Sequence, residues 1–205
     1  RDDFTLDHIK LAIEMIEADA LIIHLNTMQE AVQVGGDLDW TGIESAIESV
    51  CNAIPEPVIV KEVGMGISAS VAKRLVNIGV SAIDVAGSGG TNFVQVEGHR
   101  NKSREQKELA EIFSEWGITT PKALIEIRRE LPDVPLIASG GIRHGLDAAK
   151  SIRLGADIVA QAGPVLRAAC ESTKSVITHF QLLEKTLRLA LACSEETVTR
   201  VASTN

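Results

Sequence analysis

Five short apolar runs, each breaking off into polar or glycine-rich residues, constrain this chain more than any other feature. They read LIIHLN (Leu21–Asn26), VIVKEVG (Val58–Gly64), AIDVAGSGG (Ala82–Gly90), LIASGGIRHG (Leu136–Gly145) and IVAQAGP (Ile158–Pro164). Unbroken β-branched runs of this length suit strands buried on both faces, as in a parallel sheet. Amphipathic stretches separate them, so the pattern is a repeated βα unit. Thr5 can cap an opening helix with Leu6, Ile9, Ile13 and Ile16 at helical spacing. Thr41 to Glu44 reads as a capping box, Ser68 as a cap for a helix stopped at Gly79, and Thr120-Pro121 as a helix start. Gly145–Leu154 reads as a short helix and Ser172–Ala192 as a long one.

A helix thus precedes five βα units. Five strands cannot close an eight-stranded barrel, and such a barrel takes about 250 residues. The leading helix reads as the tail of an earlier unit, with three further units, roughly 90–100 residues, outside this chain. The fold expected is α/β: strands 4 to 8 of a TIM (β/α)8 barrel, with residues 1–205 as the C-terminal part of a single barrel domain. An open doubly wound sheet is the alternative. The polar, charge-dense residues 97–115 predict a mobile loop.

Bulk composition excludes several functions. A net charge of −8 argues against a broad nucleic-acid surface, though a small anion remains compatible with local amides and one or two cations. No apolar run reaches the ~20 residues that span a bilayer, and RDDFTLDHIK has no signal-peptide character. Cys51, Cys170 and Cys193 lack metal-type spacing and read as reduced, bland thiols of a cytoplasmic protein. An incomplete barrel exposes strand edges, which predicts a homo-oligomer.

In a βα barrel the C-terminal strand ends build the site. Here they carry His24, Asn26, Lys61, Asp84, Thr91 and Ser139. Ser139-Gly140-Gly141-Ile142-Arg143 follows one strand, Ala162-Gly163 follows the next, and Arg167 lies one turn on. Such loops can offer glycine backbone and helix N-termini to a phosphate; alone, each could be a simple turn. Lys61 falls on the face opposite Val58 and Val60, as a cation for an anionic ligand or as a partner of Asp84 or Glu62. His24 and Asn26 share a face, and Gln29 and Glu30 follow at once; a carboxylate there could hold Mg²⁺ through water. Trp116 could line an apolar pocket or sit in a satellite contact.

Together these residues resemble the type 2, FMN-dependent isopentenyl diphosphate isomerases. The motifs are His24-Leu-Asn-Thr-Met-Gln-Glu30, Val60-Lys-Glu-Val-Gly64, Gly89-Gly-Thr-Asn-Phe93, Trp116-Gly-Ile-Thr-Thr120 and Ser139-Gly-Gly-Ile-Arg143, across about Ala18 to Leu166. The resemblance implies an FMN-type barrel that interconverts isopentenyl and dimethylallyl diphosphates, with NADPH as reductant of the flavin. By the same resemblance Lys61, Thr91, Gly140, Gly141, Ile142, Arg143, Ala162 and Gly163 hold FMN. His24, Asn26 and Gln29 contact substrate, and Glu30 binds Mg²⁺. A glutamine amide is too weak an acid to protonate an alkene alone, so Gln29 is cast as a catalytic positioning or relay group. The competing readings are an FMN-dependent 2-hydroxy-acid oxidoreductase on the same barrel and an inactive phosphate-binding fragment.

Overall fold

The computed structural model of the chain describes residues 5–194. Strands β1 (Leu21–His24), β2 (Val58–Lys61), β3 (Ala82–Asp84), β4 (Leu136–Ala138) and β5 (Ile158–Val159) form one parallel sheet in that order. A doubly wound sheet reverses its strand order at a switch point. This sheet has no reversal, so it is an arc of a barrel and the doubly wound alternative falls.

The register aligns His24 with Lys61, Lys61 with Asp84, Asp84 with Ile137 and Ile137 with Ile158. Neighbouring parallel strands lie about 4.8 Å apart, so three ionisable side chains stand side by side at the C-terminal ends of β1 to β3. Alternation sends Val58 and Val60, at 1% and 0% exposure, to the opposite face. There Val60, Ile83, Leu136 and Ala138 join one core with Leu75 of α4 (Ala69–Asn77) and Leu124 and Ile127 of α7 (Thr120–Glu130). Ile13 of α1 (Leu6–Ile16) packs with Val50 of α3 (Ile43–Ala53) in a smaller cluster, while Ile16 stays exposed.

Local chemistry explains most element starts. The Ser68 hydroxyl accepts from the Val71 amide at 3.3 Å and starts α4, and Gly79, at φ +102°, ends it. Two expected caps form differently. The Thr41–Glu44 box does not close: Gly42 is the N-cap of α3, and Asp39 takes the Thr41 amide at 2.9 Å. Helix α7 is capped at Thr119, one residue early, because the Thr120 hydroxyl donates to the carbonyls of Ser139 and Gly140 at 2.8 and 2.7 Å.

The stretch expected as a loop over residues 97–115 is largely helical. It holds the end of α5 (Phe93–Arg100) and all of α6 (Arg104–Ile112). The Asn92 side chain accepts from the Gln95 amide to begin α5, and Val94, Glu97, Gly98 and Ala110 are buried between the two helices and α2 (Thr27–Val32). Cys51 is half-buried, whereas Cys170 and Cys193 are exposed free thiols. Among the described residues no helix is long and apolar enough to cross a membrane. The remaining helices are α8 (Gly145–Arg153), α9 (Gly163–Glu171) and α10 (Thr173–Ala192).

Candidate functional site

The C-terminal ends of β2 to β5 enclose a cleft of about 630 Å³, within the size range of small-molecule sites. Lys61, Thr91, Gly140, Gly141, Ile142, Arg143, Ala162 and Gly163 all line it, together with Asp84, Ser139 and Arg167. The wall after β4 is almost pure backbone. Gly140 and Gly141 sit at φ +88° and +83°, and a Cβ on Gly140 would lie 2.0 Å from the Gly87 carbonyl oxygen. Among the described residues the Gly140, Gly141 and Ile142 amides donate to no protein acceptor. The Arg143 amide, by contrast, donates to Asp147 at 3.0 Å, and its guanidinium donates to the Gly89 carbonyl at 3.1 Å.

Helix α9 opens onto the same cleft with no side-chain cap. Its first-turn amides and the Arg167 cation face an anion favourably. This donor set is amides, two arginines and a lysine around a glycine cradle. It fits the phosphate and carbonyl oxygens of a flavin mononucleotide.

At the cleft floor the Lys61 ammonium donates to the Glu62 carbonyl at 2.6 Å. Asp84, 6% exposed, accepts from the Ser139 hydroxyl at 2.6 Å and the Ala86 amide at 3.2 Å, both on Oδ1. Burial raises the Asp84 carboxyl above its ordinary value; the Ser139 bond, the Lys61 charge and the Ala86 bond pull it back only in part. Such a carboxyl stabilises the fold fully below its unfolded value of 3.8, and that stability is lost as pH rises through the raised folded value. Asp84→Asn keeps an oxygen acceptor for both donors. In urea unfolding without flavin, this variant is expected to be more stable than wild type at pH 7, with the gap closing towards pH 3.5. Equal stability at pH 7 would contradict this. Ala86, at φ +34°, is a non-glycine residue in left-handed backbone beside this carboxylate, a conformation that tends to mark functional sites.

The second group of expected residues stands beside the cleft, not in its lining. His24 is exposed at the β1 edge next to Lys61. Asn26 precedes α2 and donates to Glu30 Oε1 at 2.9 Å, while the Asp37 amide donates to Glu30 Oε2 at 3.0 Å. Among the described residues no cluster of three or more His, Cys, Asp or Glu side chains is placed to hold a metal. The Gln29 amide donates to the buried carboxylate of Glu97 at 3.0 Å, and Arg100 bonds the same oxygen at 3.2 Å. Sequence reasoning missed Glu97, although a lone acidic residue three positions before an arginine is a helical pairing signal. Trp116 is 61% exposed, packs edge-on against Phe113 and is not part of this cleft's lining.

A consecutive parallel arc with a glycine-lined cleft at its C-terminal strand ends is the architecture of a βα barrel. A family model described as FMN-dependent dehydrogenase matches residues 24–197. The chain belongs to the FMN-dependent dehydrogenase family.

The isopentenyl-diphosphate delta-isomerase of Stutzerimonas stutzeri is 54% identical over 191 residues, covering 93% of this chain and 55% of that protein. The proteins of that name from Xanthobacter autotrophicus and Synechocystis sp. are 54% and 47% identical, over 90% and 94% of this chain and 54% and 55% of theirs. The chain therefore spans about half the length of the curated relatives it matches. Among solved structures, an (S)-mandelate dehydrogenase mutant superposes with a TM-score of 0.66 at 16% identity, over 94% of this chain and 58% of that one. A mandelate oxidase superposes at 0.61 and 20% identity, over 91% and 54%. At these identities the likeness is one of fold: five βα units of the FMN-type TIM barrel.

Proposed function

We propose that this chain forms the flavin-binding part of an isomerase that converts isopentenyl diphosphate to dimethylallyl diphosphate, using reduced FMN, Mg²⁺ and NADPH as the flavin's reductant. The observation that carries the reading is the convergence of all eight expected FMN residues on one cleft, in a chain about half identical to proteins named for this activity. Reduced FMN, when bound, supplies an electron-rich ring and a proton source suited to positive charge developing at a tertiary alkene carbon.

The protein's part is positional. The Gly140–Ile142 amides and the start of α9 hold the phosphate, and Lys61 presents its ammonium to the ring system. His24 at the end of β1 and Asn26 just beyond it contact the substrate. The Gln29 nitrogen is engaged by Glu97, which would leave its oxygen to position the substrate or take part in a proton relay. Glu30, whose two oxygens each accept one bond, from Asn26 and from the Asp37 amide, would be the residue that holds Mg²⁺. The intact protein is a cytoplasmic homo-oligomer in this reading.

The hydroxy-acid oxidoreductase reading lacks its histidine base: among the described residues the cleft lining contains no histidine. The test is an assay of the full-length polypeptide with isopentenyl diphosphate, FMN, NADPH and Mg²⁺. Dimethylallyl diphosphate is the expected product; its absence sinks the proposal in favour of an inactive phosphate-binding module. In the same assay Gln29→Ala is expected to lower kcat about a hundredfold, the scale of a positioned proton-transfer group. An unchanged kcat would remove Gln29 from the mechanism.

A further inference from the structure

Gln161 lines the cleft immediately before the Ala162-Gly163 loop that opens α9. Its side-chain oxygen meets His179 Nε2 of α10 at 2.7 Å, and the His179 ring packs edge-on against Phe180 at a centroid distance of 5.6 Å. The imidazole donates and the amide oxygen accepts, so the amide nitrogen is turned away from α10. Among the described residues that nitrogen, Gln161 Nε2, is buried and has no hydrogen-bond partner. An orphaned buried donor is costly, and such groups are rare without a purpose.

We propose that Gln161 Nε2 donates to a phosphate oxygen of FMN, and that His179 is the positioning residue that holds the amide in this orientation. The inference rests on the flavin reading of the cleft and adds to it a side-chain contact from β5 and a support from α10. A phosphate offers acceptors and no amide-type donor, so it needs the nitrogen of Gln161, not the oxygen. An imidazole N–H on the other end of the amide selects that orientation without requiring a charged ring. Mixed recognition follows: backbone amides from two loops, plus one side-chain donor whose rotamer is locked by a neighbouring helix.

The test compares FMN with riboflavin, which lacks the phosphate, by fluorescence titration of the full chain. Gln161→Met keeps the length of the side chain and removes the donor. It is expected to weaken FMN about tenfold, the scale of one hydrogen bond to a charged group, and to leave riboflavin unchanged. Gln161→Glu, which sets a carboxylate against the phosphate, is expected to weaken FMN further. His179→Phe is expected to shift FMN in the same direction with riboflavin again unchanged. Equal losses for both ligands, or wild-type FMN affinity in Gln161→Met, would overturn the proposal. So would a flavin-free unfolding midpoint that falls in step with affinity, which marks a structural role. A wild-type chain that binds neither flavin would instead overturn the cofactor reading beneath it.

Discussion

Gly140→Ala is expected to abolish flavin binding and to destabilise the chain by about 2–4 kcal/mol, from left-handed strain and overpacking together. The backbone at Gly140 has φ +88°, and the added methyl would lie 2.0 Å from the Gly87 oxygen and 2.8 Å from its nitrogen. Both obstacles are main chain, so no side chain can swing aside. The loop would have to lift, breaking the Thr120 bonds to the Ser139 and Gly140 carbonyls and scattering the amides that line the cleft. Gly163→Ala is the internal control. Its Cβ would meet nothing nearer than Arg167 and Thr91 side-chain atoms at 3.9 Å, so wild-type stability is expected. Urea unfolding with an FMN titration checks both variants; a Gly140→Ala chain with wild-type FMN affinity would refute the cradle.

Lys61→Met is expected to weaken FMN by about ten- to a hundredfold, the range for one charge-assisted hydrogen bond. Methionine preserves an unbranched stem and removes the ammonium. The loss also removes the opposing charge that holds down the Asp84 carboxyl, which then titrates still higher. The stability lost in Lys61→Met relative to wild type is therefore larger at neutral pH than at pH 4. Adding Asp84→Asn to Lys61→Met restores neutral-pH stability but not FMN affinity. Recovery of affinity in the double variant would mean that Lys61 serves Asp84 and not the ligand.

The strands were readable because their signal is local. Val58-Ile59-Val60 and Ile83 announce burial, and Lys61 interrupting such a run marks the C-terminal end of the strand. The glycine loop was readable too, since Gly140-Gly141 between a strand and a helix has few alternatives. What the sequence hid depends on distant partners. Glu97 and Gly98 lie in a charged stretch with little apolar content, and their helix forms because other elements cover it. Gly98 packs so closely on α6 that a Cβ would be 2.6 Å from that of Ala110. The Gln29–Glu97 bond spans 68 residues, and the Gln161–His179 bond joins two elements that no periodicity links. Thr120 looked like a helix cap because its hydroxyl is suited to one; the Gly140 loop simply competes for it better.

The strand order has a consequence for how the chain comes together. Among the described residues every strand pairs only with its neighbours in chain order. Pairing partners separated by a single βα unit let units condense one at a time during synthesis. The cleft draws on the ends of β2 through β5, so it matures in stages. Lys61 and Asp84 are in place first, the glycine cradle next, and the β5 segment with Gln161 last. A ligand that binds the finished cleft would act late, tying the β5 segment back to the strands formed before it.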